Sequence, residues 1–551
     1  MIKRLSQWLV FLLAIYLAGC STSSIVSPAN TLSESVVFNM VGGSLQLNRP
    51  LLAKNSKVRA LPETEYLYHA LYQSSDHRVH PDDRFESIAA VVEQKGRDSS
   101  SLYAEKLTRF LMDENFACSE PIYQRYFEQR YSSHSSTKHC TGDLPLSLIS
   151  RNGEEEIIWL DPKRVSAIHL LFAGNDEGMV SRFGHVLLRL VVCPEHDRSA
   201  EACDSNLYEH ITLGYRAHID ELNINTLKGL MGDYQAYLFA EEFMSSYRQY
   251  TINEFRDLYS LPLNLSERER IDLVSALAEI HWSFSGEYKF LTKNCATLLQ
   301  DALRAVWPAY MKNEELAAET YLRPDSFFQA MREQNLSTSG VLENLELAET
   351  LGYFFSSTEA IYTKALNQVR SEMTQAHFES LDAYRALSPI KRYENVQHDA
   401  VYLQKLKEDE VLLGAQSLIE EYGAIKSRST MSAYMADFFE NNDMEKVELY
   451  LSEVLPKHDN RVFTECVLKP IYSLIRPKKR QKGIPTSNDL IDHQMSGFDC
   501  KSDQNWDALH HINQQLENID PSRWQPVNVA MFYWLESLNN VIRLSDLNGH
   551  H

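Results

Sequence analysis

Apolar positions change their period along this chain, and the changes mark out its elements. Leu298, Leu299, Ala302, Leu303 and Val306 recur with the spacing of one buried helix face. Asn294 stands before them as an N-cap, so the predicted helix starts at Cys295. Upstream the period shortens, and residues 155–160, 167–173, 186–192 and 208–215 read as strands. Gly174-Asn175-Asp176-Glu177-Gly178 is a turn cluster leading to Phe183-Gly184-His185. Residues 237–246 and 250–263 mix helix and strand signals. Ser266-Glu267-Arg268-Glu269 is a capping box that opens a helix through Ile280.

The flanks are helical. Within residues 62–131, Leu67, Ala70 and Leu71, then Ile88, Val91 and Val92, then Leu102, Leu107, Phe110 and Leu111 mark three amphipathic faces. From residue 349 onward, Ile361, Ala365, Leu366, Val369 and Met373 form one stripe, and Leu412, Leu413, Leu418 and Ile419 suggest another. These stripes are core, and no chemistry is assigned to them. The expected class is α+β, with a small antiparallel sheet and a Cys-bearing helix between two helical flanks. The expected divisions are 1–20, 21–60 (a tether), 61–150, 151–330 and 331–551, since 551 residues exceed what one core usually holds.

The start of the chain changes the picture further. Lys3-Arg4, an apolar run over residues 8–18 and Gly19-Cys20 read as a signal peptide, too short to span a bilayer. Leu17-Ala18-Gly19-Cys20 resembles a bacterial lipobox, with Cys20 as the acylated residue. Ser21 after it resembles the sorting signal of outer-membrane lipoproteins. The expected location is therefore the cell envelope, lipid-anchored at the outer membrane and facing the periplasm.

Export implies an oxidising compartment, which gives the eight cysteines meaning. Cys118 and Cys140, Cys193 and Cys203, and Cys466 and Cys500 are neighbours in sequence, and their pairing is the simplest of several connectivities. Lipidation removes Cys20, and Cys295 is left alone. A thiol at a helix start faces unpaired backbone N–H groups, which favour the thiolate, the nucleophilic form. His185, at the start of a strand after Gly184, is the candidate base. The formal net charge of -21 argues against a nucleic-acid partner. Arg476-Pro477-Lys478-Lys479-Arg480-Gln481-Lys482 is a local exception that reads as a solvated basic loop. No Cys-x-x-Cys or His-Glu-x-x-His spacing supports a metal, and no cofactor is expected.

Several separated motifs then fall into a familiar order. They are Phe183-Gly184-His185 with Leu188-Arg189, residues 227–234, Tyr250 with Glu254-Phe255-Arg256-Asp257-Leu258, Leu263-Asn264-Leu265-Ser266, Tyr288-x-Phe290 and Asn294-Cys295. Together they resemble the periplasmic domain of the Lnb-type lipoprotein N-acyltransferases, over roughly residues 167–325 and more loosely around Cys118. That family is related to circularly permuted NlpC-type, papain-like thiol enzymes in which the His precedes the Cys. The resemblance implies a membrane-lipid partner, with a phospholipid or lipoprotein diacylglyceryl group as acyl donor and a lipoprotein N-terminus as acceptor. The family carries an acidic residue where Lys293 stands and an aromatic residue where Thr297 stands, positions that would border an acyl pocket.

The expected chemistry is a thiol acyltransferase or hydrolase. His185 takes the Cys295 proton, a thioester acyl-enzyme forms, and the Cys295 N–H holds the oxyanion with an unnamed second donor. A third residue should orient His185 from the adjacent strand, and Glu209, His210 and Thr212 are the candidates. Arg256 and Asp257 read as a structural ion pair. Two alternatives stand beside this: an NlpC-type cysteine peptidase or amidase on cell-wall peptide, and a non-catalytic envelope scaffold whose thiol is merely buried. An apolar channel beside Cys295 favours the first reading, and a polar open groove favours the amidase.

Overall fold

A computed structural model of the chain describes residues 38–41, 44–47, 83–93, 99–130, 142–149, 155–174, 183–218, 234–374, 378–468, 483–487, 489–490 and 504–548. Cys20 and the signal peptide, Cys140, Cys500, residues 227–233 and the basic loop lie outside these residues.

The centre is one nine-stranded sheet. Its strands are β1 (Leu144–Ile149), β2 (Glu155–Leu160), β3 (Val165–Ala173), β4 (His185–Val192), β5 (Ile211–His218), β6 (Tyr234–Glu242), β7 (Leu258–Pro262), β8 (Gly286–Tyr288) and β9 (Phe354–Phe355). The order is β9-β7-β3-β4-β5-β6-β1-β2, with β8 pairing on β6 beside β1. All ladders are antiparallel except β1 with β6, which is parallel through Leu148↔Ala240 and Ile149↔Glu241. The α+β class is as the alternation implies, but the sheet is large rather than small. Strand β9 at one edge, and β1 between β6 and the other edge strand β2, extend it from outside the family-like segment, and short apolar runs such as Phe354-Phe355 give no period to read.

Alternation assigns the two faces. Val186, Leu188 and Leu190 of β4, with Leu213 and Tyr215 of β5 and Leu238 of β6, face the helices α4 (Glu267–Ser283) and α5 (Cys295–Val306). On the opposite face Leu171, Ala173 and Leu187 pack under Phe243 and Tyr250. The ambiguous residues 237–263 resolve into β6, a helical turn (Phe243–Tyr247), a π-type turn (Arg248–Asn253) and β7.

The N-terminal helices α1 (Asp83–Val92), α2 (Ser99–Met112) and α3 (Pro121–Arg130) share a continuous apolar core with the sheet and with α4 and α5. A polar lock joins them. The Ile122 N–H donates to Glu279 of α4 at 2.7 Å, and burial pushes the Glu279 carboxyl up to about 8. Helix α6 (Pro324–Glu333) follows α5 and returns Phe328 to the sheet, where it stacks on Phe172.

Beyond β9 the chain is helical, built on α7 (Glu359–Glu372), α8 (Pro389–His398), α9 (Glu410–Asn441) and α10 (Pro521–Ser545). One stripe needs correction: Ile361 is exposed, and Tyr362 takes the inward position beside Ala365, Leu366 and Val369. Cys193 and Cys203 form a disulfide beside the β4–β5 pair. Cys118 and Cys466 are each disulfide-bonded, and their expected partners lie outside the described residues. Among the described residues Cys295 is free.

Candidate active site

Helix α5 begins as its sequence implies. The Asn294 side chain accepts from the N–H groups of Ala296 (3.0 Å) and Thr297 (3.4 Å), and the Thr297 hydroxyl accepts from the Asn294 N–H at 2.9 Å. This reciprocal cap fixes Cys295 at the first helical position. Thr297 is therefore spent on capping. Lys293, the other departure from the family pattern, does line a cavity, described below.

The thiol sits where β4 and β5 part. Those strands pair only through Leu188–Leu190, although both run further. The N–H groups of Val186, Ala296 and Cys295 and the Tyr288 hydroxyl lie near enough to the sulfur to favour its thiolate. Tyr288 OH in turn accepts from the Cys295 N–H at 3.2 Å. All these donors favour thiolate. Burial opposes them and is larger, so the thiol is pushed up from its usual range rather than down. The helix-start N–H groups do favour the thiolate, but burial outweighs them because Cys295 is almost fully buried.

His185 opens β4 from Gly184, whose φ is +82°. A Cβ at Gly184 would lie 2.4 Å from the Phe172 ring and 2.6 Å from the Ala173 carbonyl, so glycine is required here. By alternation the imidazole belongs to the face opposite α5, and it stacks on Tyr250 with ring centroids 6.1 Å apart. Burial, then the Arg216 and Arg256 guanidiniums, push it down to about 3. Its Nε2 is buried and has no hydrogen-bond partner among the described residues. Cys295 and His185 thus lie toward the same end of β4 but on opposite faces of the sheet, with the Val186 N–H near the sulfur and Tyr250 on the imidazole, and no direct hydrogen bond joins them among the described residues.

The three candidates for orienting His185 lie elsewhere. Register places Thr212 opposite Arg189, four residues along β4 from His185 and about 13 Å away. Thr212 bonds the Ser246 hydroxyl at 2.7 Å. His210 Nδ1 accepts from Arg189 at 2.9 Å, while its Nε2 bonds the Cys203 carbonyl at 2.8 Å. Glu209 pairs with Arg164 at the surface. Arg256 pairs with Glu254 at 2.7 Å, not with Asp257, and also donates to the carbonyls of Gly174 and Ala173. Asp257 accepts from the Ser357 N–H.

Tyr288, Tyr250 and Arg216 are the neighbours that the residues alone did not single out. Arg216 is held by Glu241, which also accepts from Ser246. Tyr288 and Tyr250 were visible as motif positions, but only the folded register brings them to the sulfur and the imidazole.

Two cavities adjoin this region. One, of about 1210 Å³, runs along α5 and is walled by Ile88, Val91, Ile122, Tyr126, Leu298 and Val306, with Lys293 on its border. The other, of about 1000 Å³, is mixed, with Arg256, Asp257, Asp325 and Glu333 beside Phe172, Tyr259 and Phe328. No group of three or more metal-ligating side chains occurs among the described residues, and no described helix is long and apolar enough to cross a membrane.

The free thiol and the neutral imidazole give a direct expectation. Alkylation of Cys295 by iodoacetamide should accelerate only at a pH above the range of an ordinary thiol and show no plateau near neutrality. A plateau at neutral pH would mean a thiolate–imidazolium pair.

Fold and site together define an α+β domain with one free thiol among its described residues, at a helix start near the end of β4 that His185 opens. Residues 159–325, from β2 into α6, match the family model described as the Lnb N-terminal periplasmic domain. The matched segment includes both His185 and Cys295, and it supports an envelope-associated, periplasmic setting. No curated protein and no solved structure matches the chain.

Proposed function

We propose that the protein is an envelope thiol acyltransferase or hydrolase working through Cys295. The observation that carries this is a buried thiol, free among the described residues, at a capped helix start, with the Cys295 N–H held on Tyr288 OH at 3.2 Å and the N–H of Val186, the residue after His185, near the sulfur. His185 takes the thiol proton as the sulfur attacks an ester carbonyl, and the carbonyl electron pair moves onto oxygen. That oxygen displaces the link between Tyr288 OH and the Cys295 N–H, and both become its donors. Collapse breaks the ester C–O bond, and the leaving alcohol takes the proton from His185. A thioester remains, which an amine resolves in a transferase and water in a hydrolase.

The apolar cavity along α5 supports an acyl substrate, since Lys293 and Leu298 flank Cys295 in the chain and line its wall. A phospholipid or lipoprotein donor, a lipoprotein amine acceptor and a Cys20 anchor are part of this proposal. The charged groups Arg256, Asp257, Asp325 and Glu333 in the second cavity favour the second reading, an amidase on cell-wall peptide. Incubating the protein with phospholipid vesicles and an amino-terminal peptide tests between them. Fatty acid release or N-acylation of the peptide is expected; peptide cleavage with neither would favour the amidase.

Tyr288→Phe should lower kcat about 10²-fold with little change in KM, because it removes one oxyanion donor and leaves binding intact. Steady-state kinetics together with a melting curve check this. An unchanged kcat would remove Tyr288 from the mechanism.

A further inference from the structure

Between the π-type turn and β7 the backbone takes an unusual conformation at one residue. Among the described residues Phe255 is the one non-glycine with positive φ, +55°. That region suits glycine, and a bulky side chain stays there only where its surroundings fix the backbone. The ring shows what fixes it. It stacks on Tyr422 of α9 with centroids 5.5 Å apart and meets Tyr362 of α7 edge-on at 5.7 Å. The Lys426 ammonium lies 4.2 Å from its centre. Phe255 thus packs on the apolar core of the C-terminal helices.

The backbone on either side is tied to that region as well. The Thr251 carbonyl accepts from the Thr358 N–H at 3.1 Å and from the Thr358 hydroxyl at 2.9 Å. The Asp257 carboxylate accepts from the Ser357 N–H at 2.8 Å. Ser357, Thr358, Tyr362, Tyr422 and Lys426 all lie beyond the segment that matches the family model.

Inward, residues 250–257 wall the histidine. Tyr250 stacks on the His185 ring, and its carbonyl accepts from the Arg256 N–H at 2.8 Å. The Arg256 guanidinium lies 5.2 Å from the Tyr250 ring and donates to the carbonyls of Gly174 (2.7 Å) and Ala173 (3.0 Å). Ala173 is the register partner of His185 on β3. The segment therefore holds both the face of the imidazole and the strand beside it.

We infer that Phe255 is a positioning residue, through which the C-terminal helices hold the Tyr250–Arg256 wall against His185. This deepens the thiol acyl-transfer reading and rests on it for its purpose, because a base whose supporting shell loosens loses its alignment for proton transfer. The packing itself needs no chemistry.

Phe255→Gly in the full chain tests it, since glycine removes the ring yet accepts the same φ. Wild type and variant are treated with diethyl pyrocarbonate, and each histidine is followed by peptide mapping. His169, buried on β3 and bonded to the Ser260 hydroxyl at 3.0 Å, is the internal reference. The expected result is a rise of about tenfold or more in the His185 rate with His169 unchanged. An unchanged His185, or an equal rise at both histidines, would overturn the positioning. Tyr422→Leu should raise the His185 rate with the same selectivity, and no rise there would overturn the role of the C-terminal helices. On a short-chain ester, Phe255→Gly should lower kcat about tenfold with KM little changed, while Phe255→Tyr keeps the ring and the rate. A loss carried by KM alone would overturn the inference. Selective exposure of His185 together with a wild type inactive on every ester would uphold the positioning and overturn the acyl reading.

Discussion

Replacing Cys295 by alanine is expected to lower turnover on the order of 10⁴-fold or more, because the nucleophile cannot be replaced by any other thiol among the described residues. The substitution is conservative for the fold. Alanine fits the first position of α5, and the Asn294 cap and the Tyr288 link to the backbone N–H do not involve the sulfur. The melting curve should therefore stay close to wild type while activity disappears. His185→Ala should act on the same step, and the double variant should be little worse than either single one, as expected when two residues act as one unit. Additive losses would mean that the two side chains serve different steps.

The second large effect lies far from the thiol. Arg392 and Glu420 form an ion pair inside the C-terminal helices with each side chain 1% exposed. Arg392 donates to Glu420 at 2.9 Å, to the Ser537 hydroxyl at 2.6 Å and to the Leu387 carbonyl at 2.9 Å, and Tyr384 donates to Glu420 as well. Four segments, α8, α9, α10 and the turn before α8, are registered by this one cluster. Arg392→Met leaves the Glu420 carboxylate buried without its partner, which should cost about 3–5 kcal/mol. Denaturant unfolding followed by circular dichroism would read this as a lower midpoint. Converting both residues to apolar ones should recover much of the loss, because the penalty belongs to the orphaned charge rather than to the missing attraction. A single variant as stable as wild type would show that water reaches Glu420.

Much of this was legible in the residues. The Asn294 cap and the capping box at Ser266 were found at the positions their local chemistry requires, since such hydrogen bonds span only three residues. Strands β2, β3 and β4 were legible because a short apolar run is a local signal, as was the bond between the sequence neighbours Cys193 and Cys203. What failed was long-range. The register of β5 against β4 decides which residue stands near His185, and Glu209, His210 and Thr212 fall at the far end of the ladder while Arg216 and Tyr250 arrive instead. The direction of the Cys295 shift failed for a related reason. Sequence shows the helix-start donors, but burial, which outweighs them, comes from packing between distant elements. The breadth of the sheet was hidden likewise, because β1 and β9 join it from outside the segment that carries the motifs.

The central claim is that Cys295 carries an acyl group as a thioester, and intact-mass spectrometry after incubation with phospholipid tests it most directly. The account predicts a fatty-acyl mass increment that hydroxylamine removes and that Cys295→Ala abolishes. No increment on the wild type, with Cys295 unreactive to a thiol probe even at high pH, would contradict it and leave the thiol as a buried core residue of an envelope scaffold.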